Sequence, residues 1–81
     1  MKQNNLLKKI DQLHTTEFGL KRIKRNLNLE VDDVVGYIKE LIQKPECVIY
    51  KNGKNWYCEI YSIRITINSY NYCIITAHLQ K

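Results

Sequence analysis

The C-terminal segment 62–81 alternates between apolar and polar side chains almost without interruption. Because successive side chains of a β-strand point to opposite faces of a sheet, this alternation predicts two strands, each with one apolar and one polar face. The polar face is typical of a binding or catalytic surface, although a merely solvated face shows the same alternation. The apolar face is expected to carry Ile63, Ile65, Ile67, Cys73, Ile75, Ala77 and Leu79, and the polar face Arg64, Thr66, Asn68, Thr76 and His78.

The preceding part of the chain, residues 1–45, has the helical period instead. Apolar residues recur every three or four positions, which predicts about three amphipathic helices. Thr15 or Thr16 is expected to cap the second helix and Asp32 the third, with Pro45 ending the third. Gly19 is unfavourable inside a helix, so we expect close packing there. The apolar stripes are Leu6, Ile10 and Leu13, then Leu20, Ile23 and Leu27, then Val34, Val35, Ile38, Leu41 and Ile42.

Two further strands are predicted between these regions, at 47–50 and 55–61, on either side of Asn52-Gly53, a dipeptide typical of a type I′ hairpin turn. This arrangement sets Cys47 opposite Cys58; a disulfide is conceivable, but a reduced, buried pair is expected in the cytosol. The predicted fold is therefore α+β: a single domain, 1–81, in which the helices of 1–45 pack on one face of a four-stranded antiparallel meander formed by 46–80.

The hairpin turns also predict a row of polar residues across the sheet. A two-residue turn at Tyr61-Ser62 sets Glu59 opposite Arg64. A three-residue loop at 69–71 then sets Arg64 opposite Thr76 and leaves His78 on the diagonal. Metal-independent RNA cleavage requires a base, an acid and a cation that stabilises the phosphorane, and Glu59, His78 and Arg64 are of these types. The alternatives are an ordinary cross-strand ion pair and a solvated histidine.

Charge is distributed unevenly along the chain, which carries a net +5. Residues 1–28 hold seven Lys/Arg against two acids, 29–46 hold two against five acids, and 47–81 hold four against one. Such a distribution suits a polyanion bound to part of the surface, and it also suits simple solubility. The residues expected to contact nucleic acid are Lys21, Arg22, Lys24, Arg25, Lys54, Tyr57, Thr66, Asn68, Tyr70 and Tyr72. His14 is an additional candidate, although a histidine at a helix junction commonly only caps or packs the turn.

Other features narrow the class of protein. No apolar run approaches the roughly 20 residues of a membrane span, and the first residues lack the apolar core of a signal peptide, so a cytoplasmic protein without membrane contact is expected. Three cysteines without metal-ligand spacing argue against a zinc site. No glycine-rich phosphate loop or paired-carboxylate motif is present, so neither a metal nor a cofactor is expected.

Several short segments together resemble a known family. They are 13–17 (LHTTE), 22–23, 26–27, 53–57 (GKNWY), 65–68 (ITIN) and 74–78 (IITAH), and the family consists of small bacterial and phage-associated proteins of unknown function. More distantly, the helices followed by a sheet whose last strand reads Ile-Thr-Ala-His are similar to the barnase, RelE and colicin type of ribonuclease fold. That resemblance implies a substrate on the sheet face opposite the helices, bound by strand residues matching Arg64, Thr66, Thr76 and His78, with Glu59 as base.

The leading hypothesis is thus a small RNA-interacting domain, in its strongest form a toxin-like or phage-related ribonuclease. One rival is a non-catalytic nucleic-acid-binding protein that uses the basic helix Lys21 to Arg25 and the tyrosines. The other is a phage-encoded interaction or inhibitor module that recognises an acidic protein. An antitoxin is a further candidate partner, and the oligomeric state is left open.

Overall fold

Helices precede the sheet along the chain, as predicted. The computed structural model describes residues 5–80, so residues 1–4 of the predicted helical half lie outside it. Within the described range there are three α-helices and four strands joined as an antiparallel meander in the order β1-β2-β3-β4, which confirms the α+β fold. The elements are α1 (Asn5–Lys8), a 3₁₀ turn (Ile10–Gln12), α2 (Glu17–Asn26), α3 (Val34–Gln43), β1 (Val48–Asn52), β2 (Asn55–Ile60), β3 (Ile63–Asn68) and β4 (Ile74–Leu79).

The two longer helices begin at capping side chains. Thr16 caps α2, accepting a hydrogen bond from the Gly19 N–H at 3.0 Å. The prediction of Asp32 for α3 is wrong by one residue, because Asp33 accepts from the Gly36 N–H at 2.9 Å. The cap must directly precede the first helical residue, and the helix begins at Val34, which is buried. At the other end, Lys44 is extended because it precedes a proline.

The core lies between the helices and one face of the sheet. Ile23 of α2 and Ile38 of α3 are fully buried there, as are Ile65 and Ile67 of β3. α2 lies over β4 and α3 contacts β2, so both helices cover the same sheet face. The opposite face is left uncovered within the described residues, and it carries the polar side chains.

Hydrogen bonds to the β4 backbone fix the position of α2. Asn26 Nδ2 donates to the Ala77 carbonyl at 3.2 Å, and Thr15 Oγ1 donates to the Ile74 carbonyl at 2.9 Å. A Cβ added at Gly19 would collide with that same Thr15 hydroxyl. The close packing expected at Gly19 is therefore present, and its reason is the tie between Thr15 and the strand.

The predicted register of β2 and β3 is confirmed. Ile60 pairs with Ile63 and Glu59 with Arg64. The connection is a two-residue turn in which Tyr61 (φ 51°) and Ser62 (φ 63°) both have positive φ, as a type I′ turn requires.

The predicted register of β3 and β4 is wrong by two residues. Arg64 pairs with His78, and Thr66 pairs with Thr76, so Thr76 does not lie opposite Arg64. Two single-residue differences add to give this shift. The loop has four residues, 69–72: the Asn68 N–H donates to the Cys73 carbonyl at 2.9 Å, and the Tyr72 N–H at the end of the loop donates to the Asn68 carbonyl at 2.9 Å. A bulge between Thr66 and Ile67 then accommodates one more residue on β4.

The bulge also corrects the assignment of side chains to faces. Ile74, which pairs with Ile67, is buried, whereas Ile75 is 40% exposed and does not belong to the core. Leu79, also predicted to be buried, is 55% exposed at the end of the edge strand. The one extra residue in the loop and the one extra residue at the bulge cancel in parity, so Thr76 and His78 still lie on the uncovered face.

The first hairpin is also shifted by two residues relative to the prediction. Asn52 pairs with Asn55, which makes Gly53 and Lys54 the central residues of the turn, and of these Gly53 has the positive φ (66°). Glycine at the first central position with positive φ is the type II′ arrangement rather than type I′. In consequence Cys58 lies opposite Ile49 and not opposite Cys47.

Candidate functional site

A row of charged and polar side chains crosses the uncovered face, and its members differ from the predicted ones in one position. Glu59 of β2 pairs with Arg64 of β3, and Arg64 pairs with His78 of β4. Arg64 Nη2 lies 3.1 Å from Glu59 Oε2, with Nε at 3.2 Å from the same oxygen. Two strand spacings separate Glu59 from His78, about 10 Å between Cα atoms. The structure thus places the predicted base, cation and acid in one line.

Two tyrosines complete this part of the face. Tyr50 of β1 donates its hydroxyl hydrogen to Glu59 Oε2 at 2.6 Å. Its ring stacks on Tyr57 with centroids 5.5 Å apart, and the Arg64 guanidinium carbon lies 5.7 Å from the Tyr57 centroid. Tyr50 was absent from the residues predicted from the sequence. The correct register of the first hairpin would have identified it, since that register sets Tyr50 directly opposite Tyr57.

The contacts with Tyr50 and Arg64 favour the deprotonated form of the Glu59 carboxyl group. The pKa of Glu59 is lowered, first by the hydroxyl of Tyr50 that donates to it and then by Arg64, against the opposing effect of burial. The pKa of Tyr50 is raised, mainly because its deprotonation would break the hydrogen bond to Glu59. Glu59 is therefore an ionised group whose Oε2 already accepts from two partners. A carboxylate so held is a weak base, and it partly neutralises Arg64.

The second row contains the predicted hydroxyl residues. Thr66 lies between Tyr57 and Thr76 and is 8% exposed, the one buried polar residue of the described chain. Asn68 uses its Oδ1 within the β3–β4 loop, accepting from the N–H groups of Tyr70 and of the following residue at 2.8 and 3.1 Å. The hydroxyl groups of Thr66 and Thr76 thus belong to the uncovered face, whereas the side-chain oxygen of Asn68 is already hydrogen-bonded within the loop.

The remaining tyrosines and Lys54 lie near the loops. Tyr70 is 75% exposed, whereas Tyr72 packs against the core with φ 61°. Lys54 is exposed in the β1–β2 turn, and its carbonyl accepts from the Ser69 N–H at 2.9 Å. Lys54 and Tyr70 are therefore at the same end of the sheet.

A second candidate surface is the outer face of α2, which we call the basic helix face and define by Phe18, Lys21, Arg22 and Arg25. These four residues line an open groove of about 370 Å³. Phe18 is 80% exposed, although it is the most apolar residue of the group. Lys24 lies at the flank of the helix and is half-buried. Phe18 was not among the predicted residues, but the i, i+3, i+4, i+7 spacing of the four would have placed it with the cations.

The structure does not bring these two surfaces together. The helices cover one face of the sheet, so the outer side of α2 points away from the row containing Arg64 and His78. Among residues 5–80 the one ion pair is that between Glu59 and Arg64, which means that the cations of the basic helix face lack acidic partners there. The main unneutralised positive charge of the described chain is on α2.

His14 lies where the helical half of the chain meets β4, and its contacts there hold the two parts together. Its Nδ1 lies 2.9 Å from the Gln12 carbonyl, and its backbone pairs with the β4 edge through Ile74 N–H to His14 O at 2.7 Å. This pairing covers the start of the β4 edge and connects the helical half to the sheet.

The cysteines are free thiols, with Cys58 buried and Cys47 and Cys73 half-buried. A hydrogen bond from Cys58 lowers the pKa of Cys47, and the same contact together with burial raises the pKa of Cys58. Over residues 5–80 the structure holds no cluster of three His, Cys, Asp or Glu side chains able to bind a metal ion. Within the same range, every helix is too short or too polar to cross a bilayer.

Fold and surface together define a small α+β protein with a basic helix on one side and an uncovered polar sheet face on the other. A family model described as "Protein of unknown function (DUF3781)" matches residues 7–78, and the chain belongs to this family. The predicted resemblance to a family of unknown function is thereby confirmed. Neither a curated protein nor a solved structure was found to match the chain. The more distant likeness to the barnase, RelE and colicin type of ribonuclease stays a prediction.

Proposed function

We propose that this protein binds single-stranded RNA without cleaving it, through the basic helix face. The observation that carries the proposal is the exposed ring of Phe18 among Lys21, Arg22 and Arg25. A helix face that served only solubility would not need an exposed phenyl ring at its centre. Unpaired bases stack on aromatic side chains while Lys and Arg neutralise the adjacent phosphates, and this combination is typical of binding to single strands.

The expected magnitudes follow from the same four residues. Stacking of one base on an aromatic side chain contributes about 1–3 kcal/mol, so Phe18→Ala should weaken binding roughly 5-fold to 150-fold. Neutralising about three phosphates gives a slope of log K against log salt near −2 for a single strand. Removing one cation should reduce that slope by about 0.7.

The test is a titration of a labelled, unstructured RNA followed by fluorescence anisotropy at several salt concentrations. The variants are Phe18→Ala and Arg25→Ala. Lys51→Ala is the matched control, since Lys51 is exposed on β1, at the sheet edge opposite the strand that α2 covers. Binding that is equally weakened by all three variants, or that does not respond to Phe18→Ala, would contradict the proposal. A single-stranded DNA of the same sequence tests whether the sugar matters.

A second candidate function is metal-independent RNA cleavage on the uncovered sheet face. It is favoured by the alignment of Glu59, Arg64 and His78 on three adjacent strands. The hydrogen bonds that hold Glu59 ionised oppose it, because they weaken the proposed base. The test of this candidate is incubation with total RNA in EDTA, in which the wild type is compared with Arg64→Ala and His78→Ala. Absence of cleavage, or cleavage unchanged in both variants, removes this candidate.

The same purified protein distinguishes these two candidates from the third hypothesis, an interaction module that recognises an acidic protein. It predicts a stable complex with an acidic protein and no affinity for RNA at physiological salt. Salt-sensitive binding to RNA without such a complex would leave the nucleic-acid proposal alone.

A further inference from the structure

The outer side of α3 carries a groove whose charge is opposite to that of the basic helix face. We call it the acidic groove. It is open, with a volume of about 270 Å³, and is lined by Val31, Asp33, Gly36, Tyr37 and Glu40. The groove thus combines two largely apolar side chains, Val31 (39% exposed) and the half-buried Tyr37, with the two carboxylates of Asp33 and Glu40. Phe18 with its neighbouring cations has the complementary character: an apolar centre and a basic rim.

Both surfaces point to the same side of the molecule. α2 buries Gly19 and Ile23, and α3 buries Val34 and Ile38, on the side that faces the sheet. The basic helix face and the acidic groove are on the opposite sides of these two helices, so both point away from the sheet. α2 and α3 also contact each other, which makes the two surfaces neighbours in one layer.

From this arrangement we infer that two copies of the chain form a two-fold symmetric dimer through the helical layer. A two-fold axis that runs between α2 and α3 in the plane of contact sets α2 of each copy over α3 of the other. Phe18 of each copy then meets the acidic groove of its partner, and both oppositely charged contacts form at once. Such an interface is self-complementary and closes after two subunits.

The dimer is weak and salt-sensitive, because each contact has one apolar anchor and an exposed charged rim. It covers the basic helix face, so RNA and a second copy compete for that surface. The inference itself needs no RNA, since it depends on two surfaces of the free chain.

The experiment measures the mass of the full chain, freed of nucleic acid, by sedimentation equilibrium over a range of concentrations at low ionic strength. The wild type should rise from the 9.7 kDa of one chain toward about twice that mass, and should fall back when salt shortens the Debye length to about 3 Å. A wild type that stays at the mass of one chain at every concentration overturns the inference.

Charge reversal tests the partners directly. Arg25→Glu and Glu40→Arg should each abolish the dimer, because like charges then face each other in both contacts. Their equimolar mixture should restore it, since in the mixed dimer each altered surface meets its altered complement. Lys51→Glu is the control of equal charge change and should leave the dimer intact. A mixture no heavier than its separate components, or a wild-type mass unchanged by either reversal, contradicts the proposed pairing.

Phe18→Ser should also weaken the dimer, because it removes the apolar contact with the acidic groove while leaving every charge in place. Circular dichroism should show that every variant keeps its helices, because all the altered side chains are exposed. The two proposals fail separately. A monomer that binds RNA refutes the dimer alone, and a dimer without affinity for RNA refutes the proposed function alone.

Discussion

Replacing Gly19 by alanine should destabilise this protein, although the same change stabilises most helices. In an ordinary helix interior alanine is favoured over glycine by about 1 kcal/mol. Here the added Cβ would collide with Thr15 Oγ1, and Thr16 Oγ1 would lie 3.3 Å from it. The Thr15 hydroxyl donates to the Ile74 carbonyl at 2.9 Å, so it cannot move away without losing its bond to β4.

The size of the effect follows from these contacts. Losing the hydrogen bond costs about 1 kcal/mol, and leaving the partly buried Ile74 carbonyl unpaired costs about 1–3 kcal/mol more. Against the gain of about 1 kcal/mol from helix propensity, Gly19→Ala should lower the free energy of unfolding by about 1–3 kcal/mol. In a Thr15→Ala background the collision is absent and the hydrogen bond is already lost. There Gly19→Ala should be neutral or stabilising by up to about 1 kcal/mol.

The assay is urea unfolding of the four proteins of this double-mutant cycle, followed by circular dichroism. Gly36→Ala is the matched control, because Gly36 is also the third residue of its helix and a Cβ there would also collide with a side chain, the exposed cap Asp33, whose carboxylate bonds to the Gly36 N–H of its own helix and not to the sheet. The loss of this cap costs about 1 kcal/mol and the gain in helix propensity offsets it, so the control should be close to neutral. A stabilising Gly19→Ala in the wild type, or a coupling energy to Thr15 below about 0.5 kcal/mol, would refute the reasoning.

Three other predictions concern the turns, the acid range and the thiols. Tyr61→Asn combined with Ser62→Gly should raise the free energy of unfolding by about 1–2 kcal/mol, because each position has positive φ; a lower urea midpoint would contradict this. The lowered pKa of Glu59 means that its ionised form stabilises the fold above the unfolded-state pKa of about 4.3, and that this contribution is lost as the pH falls through the folded-state pKa. Glu59→Gln should therefore unfold with a weaker acid dependence than the wild type in urea titrations at several pH values, and identical profiles would argue against the contact. Iodoacetamide should modify Cys47 of the native protein before Cys58, because Cys47 is more exposed and its pKa is lowered; equal labelling rates by peptide mass spectrometry would exclude this.

The sequence predicted the sheet face on which a strand residue lies better than it predicted the residue that pairs with it on the neighbouring strand. Alternation assigns a side chain to a face by parity alone, and Arg64, Thr76 and His78 do lie on the uncovered face. Cross-strand partners depend in addition on the length of each loop. The β3–β4 loop gained its extra residue because Asn68 Oδ1 accepts two backbone N–H groups, and such a local side-chain turn is not visible in a hydrophobic pattern. The bulge at Ile75 is equally hidden, since isoleucine suits either face of a strand.

The two-residue turn at Tyr61-Ser62 is the informative contrast. Its residues are poor choices for positive φ, yet its position was predictable because the apolar residues on both sides leave no other register that buries them. Where burial on both strands fixes the pairing, turn chemistry is secondary. The row from Glu59 to Arg64 was predictable for this reason, and its extension to β4 was not, because the apolar residues near the bulge permit more than one register.

The same distinction applies to the functional surfaces. Opposite charges that pair across strands, as Glu59 and Arg64 do, largely cancel, and a distant polyanion experiences little attraction from them. The cations of the basic helix face have no acidic partner among residues 5–80, so their positive charge is not neutralised and can attract a polyanion. The phenyl ring of Phe18 among those cations is 80% exposed, more than any other large apolar side chain of the described residues. Either occupant argued above, a base of a single strand or the acidic groove of a second copy, satisfies both the ring and the charges, and the two compete for the one surface of α2.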